Sequence, residues 1–363
     1  MVQPQSTGAG TQELGFCRSA DGTRIAYAKH GSGPPIIVAA CWLSHLQYDW
    51  QSPVWRHFLD DLGRFATIIR YDERGHGLSD RNVTDHSLDA RVADLEAVVG
   101  ANGYDRFALM GMSQGGPVSI EYSVRYPERV TRLIFYGSYA IATRDHSPEA
   151  VELAETFEQM IKVGWARPDS AFRRVFTSLM IPGATEEQMT WLDELQRMAV
   201  TGEIAYIARQ QRNREDVRDR LSLISAPTLV LHALGDRMND FAEGRQLAAG
   251  IPGAVLVPLE SSNHVLLADE PAWREFVDRV ESFVAPDRGT GPADAGVDLT
   301  QLSARELDVL RLVAEGRDNE TIGLALHISP RTVERHLHNT YAKLEVSGKS
   351  ARAAAVAKLL TSA

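Results

Sequence analysis

Gly111-Met112-Ser113-Gln114-Gly115 sets a serine between two glycines, directly after an apolar run and directly before an amphipathic one. The glycines allow a turn tight enough to lift the serine hydroxyl out of a sheet and leave it exposed at the start of a helix. Two further residues of the right chemistry follow it: Asp236, just after the apolar run Thr228–His232, and His264, just after Val255–Pro258. A serine, an acid and a histidine in that chain order form the inventory of nucleophilic acyl chemistry. Any one of them alone would be an ordinary turn or surface residue. The three together, each at the end of an apolar run, carry the signal.

A second constellation lies near the C-terminus. Ser303 followed three residues later by Glu306 is a capping box. Leu307, Leu310 and Val313 then share one helical face, and Gly316 supplies the stop. A second helix is expected from about Asn319, burying Ile322, Ala325 and Leu326. After the turn His327-Ile328-Ser329 a third helix opens, with Ser329 as N-cap and Pro330 at its first position. Its apolar stripe is Val333, Leu337, Tyr341 and Leu344. The opposite face carries Arg331, Arg335 and His338, with Glu334 beside it and Thr332, Asn339 and Lys343 on the other flank. A helix that buries one stripe and offers Arg, His and Asn on the other suits the major groove of double-stranded DNA. A dimerisation or docking module would have no need of such a cation-bearing face.

The elements that must position the first set alternate along the chain. Strands are expected at Ile36–Ala39, Ala66–Tyr71, Phe107–Gly111, Arg132–Tyr136, Thr228–His232 and Val255–Pro258, with helical segments such as Leu88–Gly100 and Pro117–Tyr126 between them. This rhythm implies an α/β fold with a mostly parallel sheet covered on both faces. Residues 140–222 break it: they read as helical throughout and are rich in large apolar groups, among them Phe157, Trp165, Phe176, Met180 and Trp191. Most of these serve a helical subdomain's own core, and a minority could line a pocket beneath a lid. Residues 286–298 are rich in Pro, Gly and Asp with almost no large apolar group, the composition of a linker. The expected division is 14–285, with the helical cap at about 140–222, then the linker, then 299–363.

Composition narrows the classes further. The 363 residues exceed what one core commonly holds. Net charge is −10, yet from Asp298 onward nine Lys/Arg face eight Asp/Glu, which leaves +1 there and −11 in the remainder. DNA binding needs a local basic face rather than a basic chain. No signal peptide and no apolar stretch of membrane-spanning length is visible, so a cytoplasmic protein without membrane contact is expected. Two cysteines, Cys17 and Cys41, give neither a disulfide framework nor a zinc cluster, and the histidines lack ligand spacing. No metal and no cofactor is expected, since no dinucleotide or phosphate loop appears either.

The serine motif and its partners, with Tyr71-Asp72-Glu73-Arg74-Gly75-His76-Gly77-Leu78-Ser79, resemble the α/β-hydrolase family across roughly residues 14–285. The resemblance implies Ser113 as nucleophile, His264 as base and Asp236 as the group that orients it. Asp240 is the less favoured acid because it sits where the family often has proline. It also implies an oxyanion hole from the backbone N–H groups of Gln114 and Trp42. There the family carries His-Gly, whereas this chain has Ala40-Cys41-Trp42, whose indole could occupy substrate space. His45, Tyr48, Asp49 and Trp50 follow in the same loop, where packing or capping is the simpler role. The C-terminal segment is similar to the LuxR/FixJ-type helix-turn-helix, through Leu302-Ser303, Arg305-Glu306, Val309-Leu310, Ala314-Glu315-Gly316, Arg331-Thr332-Val333, His336-Leu337 and Lys343-Leu344. That likeness implies base contacts from Glu334, Arg335 and His338, backbone contacts from Thr332, Asn339 and Lys343, and a homodimer through a fourth helix, Ser350–Leu360. Glu334 stands where lysine is common. The implied function is a transcription regulator whose hydrolase-like domain senses, or also hydrolyses, a small apolar carbonyl-containing molecule. The alternative is an active serine hydrolase of the esterase or lactonase class with an accessory DNA-binding domain.

Overall fold

The computed structural model describes residues 11–39, 41, 43–142, 148–169, 171–285, 302–314, 317–326, 328–344 and 355. The chain falls into two compact units, Met1–Gly289 and Thr290–Ala363.

The first unit is built on an eight-stranded sheet ordered β1-β2-β4-β3-β5-β6-β7-β8. Its strands are β1 (Glu13–Arg18), β2 (Arg24–Gly31), β3 (Pro35–Ala39), β4 (Thr67–Tyr71), β5 (Phe107–Met112), β6 (Val130–Tyr136), β7 (Thr228–Ala233) and β8 (Val255–Leu259). From β4 to β8 all pairings are parallel, while β1 and β2 form an antiparallel hairpin and β2 runs antiparallel to β4. Every strand expected from the sequence is a strand, with ends moved by one or two residues. The hairpin β1–β2 was not expected. β1 is an edge strand with most of its residues exposed or half-exposed, so it lacks the continuous apolar run that marks the buried parallel strands.

Alternation along the central strands divides the core in two. Ile36, Ile68, Met110, Ile134, Leu229 and Leu231 face one side. Ile37, Ile69, Leu109, Leu133, Phe135 and Val230 face the other. Helices cover both faces: α1 (Leu46–Asp49), α2 (Arg56–Gly63), α3 (Leu88–Asn102), α4 (Gly115–Arg125), and, later in the chain, α9 (Phe241–Gly250) and α10 (Pro271–Val284). Between β6 and β7 the chain inserts α5 (Pro148–Gly164), α6 (Ala171–Met180), α7 (Glu186–Ala199) and α8 (Gly202–Arg212). Trp165, Phe176 and Met180 of this insertion are buried in the same core as the sheet residues, and Trp191 stacks on Tyr48 at 4.5 Å between ring centroids. Among the described residues no helix is long and apolar enough to cross a membrane.

The second unit holds α11 (Ala304–Ala314), α12 (Asn319–Leu326) and α13 (Pro330–Lys343). The capping box forms: Ser303 N–H donates to Glu306 Oε2 at 2.8 Å, and Glu306 N–H donates to Ser303 Oγ at 3.3 Å. Ser329 Oγ accepts from Thr332 N–H at 3.2 Å and caps α13. The second helix differs from expectation. Ile322 is buried and Leu326 half-buried, but Ala325 is exposed, and Gly323 takes the inner position instead. A Cβ on Gly323 would lie 2.8 Å from the Ile328 carbonyl, so the turn back into α13 closes over the glycine. Gly316, His327 and the expected fourth helix Ser350–Leu360, apart from a buried Ala355, lie outside the described residues, as does the linker 286–298.

Candidate active site and nucleic-acid interface

β5 ends at Met112, α4 begins at Gly115, and the turn between them is carried by Ser113 in a left-handed conformation with φ 48°. For a non-glycine residue this costs on the order of 1–3 kcal/mol, a strain that persists only where the surroundings over-determine it. Here they do: Ser113 N–H donates to the Tyr136 carbonyl at 2.9 Å, and the Ser113 carbonyl accepts from Ser138 Oγ at 2.6 Å. A Cβ on Gly115 would stand 2.8 Å from the Ala39 carbonyl, so β3 and the first turn of α4 approach as closely as a glycine allows.

Asp236 and His264 occupy the loops after β7 and β8. His264 Nδ1 lies 2.7 Å from Asp236 Oδ2, and Asp236 Oδ1 accepts the N–H groups of Met238 at 2.8 Å and Asn239 at 2.9 Å. Burial alone would raise the Asp236 carboxyl, but His264 and the Asn239 N–H outweigh it and hold the group below its ordinary value. Asp240 instead caps α9, accepting the Ala242 N–H at 2.8 Å. Behind the pair sits Gly137 at φ 55°, where a Cβ would come 3.0 Å from His264 Cε1. The His264 backbone is fixed by two groups: its N–H donates to the Met180 carbonyl of the inserted helices at 2.8 Å, and its carbonyl accepts from Tyr136 Oη at 2.7 Å.

Ser113, Gln114, Asn239 and His264 line one cavity, with about 560 Å³ of space that includes its open mouth. Among the described residues no hydrogen bond joins Ser113 Oγ to the imidazole; Asn239 Nδ2 stands 3.4 Å from Oγ and donates to the Gly137 carbonyl at 2.7 Å. Such hydrogen bonds often tighten only when a substrate is bound. Asn239 and Gly137 carry no sequence signal of their own; only the folded loops bring them to Ser113.

Gln114 is anchored from below. Its side chain donates to Glu73 Oε2 at 3.0 Å, and Glu73 Oε1 accepts from Arg212 of α8 at 2.5 Å. Arg91 of α3 lies 3.8 Å from the same oxygen. Burial would raise the Glu73 carboxyl, but Arg212, His76 and Arg91 draw it down to about 2. The rest of the Asp72–Ser79 loop supports rather than lines the cavity. Asp72 accepts Leu46 N–H at 3.0 Å and Leu78 N–H at 2.8 Å, and Arg74 is fully buried against Asp94 at 2.7 Å. His45 caps α1, Asp49 is buried 3.7 Å from Arg70, and Trp50 lies under the Arg56 guanidinium at 4.2 Å, so none of the three lines the cavity. Cys41 does line it, with its thiol pushed up to about 12 by burial and by Asp49. Trp42 lies outside the described residues.

On α13, Val333, Leu337 and Leu344 are buried and Tyr341 packs against both small cores. Arg331, Glu334, Arg335, His338, Asn339 and Lys343 are exposed and Thr332 is half-buried. Lys343 Nζ also reaches back to Glu306 Oε2 at 2.7 Å, tying the end of α13 to the start of α11.

The chain belongs to the alpha/beta hydrolase fold family, which matches residues 34–271, and carries a domain of the bacterial regulatory proteins, luxR family, over residues 300–356. It is therefore a LuxR-type DNA-binding domain joined to a hydrolase-fold domain. The AB hydrolase superfamily protein YisY of Bacillus subtilis is 27% identical over 260 residues, covering 70% of this chain and 91% of the relative. An esterase from Exiguobacterium antarcticum superposes with TM-score 0.63 at 21% identity, over 74% of this chain and 98% of its own. A bromoperoxidase from Bacillus anthracis gives TM-score 0.64 at 21% identity, over 75% of this chain and 99% of its own. At these identities the two solved structures share the fold.

Proposed function

We propose that the chain is a transcription regulator whose hydrolase-fold domain senses a small, mostly apolar, carbonyl-containing molecule in the cavity of Ser113. The observation that supports it best is the pairing within one chain of a strained serine facing a cavity and a helix that exposes Arg331, Arg335 and His338. Residues 14–285, with a cap at about 140–222, form the sensing domain in this reading. Residues 286–298 link it to the DNA-binding domain 299–363. Glu334, Arg335 and His338 read base edges, Thr332, Asn339 and Lys343 contact the DNA backbone, and Arg331 belongs to the same DNA-binding face. A homodimer on a two-fold site completes the reader.

The backbone strain at Ser113 favours a second reading, hydrolysis of that same molecule. Ser113 Oγ bonds to the acyl carbon as His264 takes its proton, and Asp236 steadies the imidazolium. The N–H groups of Gln114 and Trp42 receive the developing oxyanion. The ester C–O bond then breaks, the leaving oxygen takes the proton from His264, and water repeats the sequence to free Ser113.

The test is product release from short-chain aryl esters by the purified full chain, with Ser113→Ala beside it. Turnover abolished in the variant supports the triad. No turnover, together with no change in thermal stability on adding non-hydrolysable ester analogues, contradicts both readings of the cavity.

A further inference from the structure

Asn239 lies three residues after Asp236 in the loop that follows β7, and it is held at three points before it reaches Ser113. Its N–H donates to Asp236 Oδ1 at 2.9 Å, and its carbonyl lies 2.9 Å from His232 Nε2. A carbonyl can only accept, so His232 carries its proton on Nε2, and burial holds that ring toward its uncharged form. The third point is the side chain, whose Nδ2 donates to the Gly137 carbonyl at 2.7 Å. That acceptor is itself fixed, because the Gly137 N–H donates to the Leu231 carbonyl of β7 at 3.0 Å.

The Gly137 carbonyl also decides which way round the carboxamide sits. Turned over, the amide would set Oδ1 against another acceptor, so only its Nδ2 side can face Gly137. The second hydrogen of the same nitrogen is then the one that meets Ser113 Oγ at 3.4 Å. A carboxamide pinned at its backbone and through one hydrogen has already lost the freedom that a second hydrogen bond would otherwise cost. Attack by a serine needs its hydrogen on the imidazole and a lone pair of Oγ on the acyl carbon. Asn239 engages a lone pair of that oxygen, while among the described residues no hydrogen bond joins it to His264.

We infer that Asn239 restrains Ser113: its carboxamide holds Oγ off His264, so the hydroxyl donates to a carbonyl ligand in the cavity more readily than it attacks it. The inference rests on the proposed role of the cavity and adds what governs its serine. A ligand is then bound and read before it is destroyed.

The test is the rate at which a 4-nitrophenyl alkylphosphonate labels the full-length chain. In that step the bond from Ser113 Oγ to phosphorus forms, the bond from phosphorus to 4-nitrophenolate breaks, and the hydroxyl proton passes to His264. Asn239→Leu keeps the side chain's size without its N–H groups, and Asn239→Ala removes the carboxamide altogether. Each is expected to label about threefold to tenfold faster than wild type, the worth of one neutral hydrogen bond. The pH of half-maximal labelling should stay at the wild-type value in both, since the Asp236–His264 pair is untouched. Labelling at Ser113 that is no faster in either folded variant overturns the restraint alone. Faster labelling with a shifted pH midpoint also overturns it, because the substitution then acts through the Asp236 loop. No labelling of the wild type or of either variant removes the nucleophile and the restraint together. Faster labelling that leaves duplex affinity unchanged supports the restraint and removes sensing alone.

Discussion

The two units hold their polar groups in opposite ways. In the hydrolase-fold unit the charged groups around Ser113 are inside: Glu73, Arg74, Arg91, Asp94 and Arg212 are all buried. In the C-terminal unit, Glu306 and Thr340 are the buried polar side chains among the described residues, and α13 presents its cations outward. Buried ions are tolerable only when each is completed by several partners, so the first arrangement is strongly coupled. Exposed ions keep their water and act nearly independently. Substitutions around Ser113 should therefore be large and non-additive, and those on α13 small and additive.

The largest effect is expected on chemistry. Ser113→Ala should lower aryl-ester turnover by roughly 10³-fold or more while leaving the folded chain intact, as followed by stopped assays and thermal unfolding. Next comes the coupled network. Glu73→Ala leaves Arg212 and the Gln114 amide without their carboxylate and should cost about 3–5 kcal/mol in denaturant unfolding of the hydrolase-fold unit. A loss as small as that of an exposed ion pair would remove the distinction between the units. On the other side, Arg335→Ala should cost about 1–3 kcal/mol on a duplex selected for tight binding and little on random duplex, with no change in unfolding. Equal losses on both duplexes would remove Arg335 from base reading.

Acid should distinguish the units next. Burial, opposed by Glu73, holds the His76 imidazole down to about 4 against an ordinary 6.5. The unfolded chain therefore binds a proton there that the folded chain refuses, and stability falls as pH drops from 6.5 toward 4. Glu73, held at about 2 against an ordinary 4.5, extends the loss from 4.5 downward. The melting temperature of the hydrolase-fold unit should decline over that range, with a shallower slope in His76→Gln. The smallest effect belongs to Lys343→Ala. Its pair with Glu306 is partly exposed and worth about 0.2–1 kcal/mol of stability, and loss of the cation should weaken all duplexes alike.

The same contrast explains what could be read from the sequence. Parallel strands buried on both faces announce themselves as apolar runs, which is why β3 to β8 were readable and the half-exposed hairpin β1–β2 was not. On α13 the stripe Val333, Leu337 and Leu344 is local periodicity, so one helix supplies the whole argument. Ala325 went wrong because a tight turn over Gly323, rather than the helix period, decides which residue of α12 faces inward. Around Ser113, motif spacing pointed to Asp236 and His264 but could not show Asn239 beside the hydroxyl, Gly137 behind the pair, or Arg212 reaching Glu73 from 139 residues away. Those contacts depend on loops meeting across the sheet, and no sequence period encodes them.

The most direct test of the central claim is to fill the Ser113 cavity and read DNA affinity. The full-length chain would be treated with a 4-nitrophenyl alkylphosphonate, labelling confirmed by mass, and binding to a selected duplex measured before and after, with Ser113→Ala as control. The account predicts stoichiometric labelling at Ser113 and a change in duplex affinity of about fivefold or more, absent from the variant. Complete labelling with unchanged affinity would contradict a sensing role for the cavity, and failure to label a folded chain would contradict Ser113 as its nucleophile.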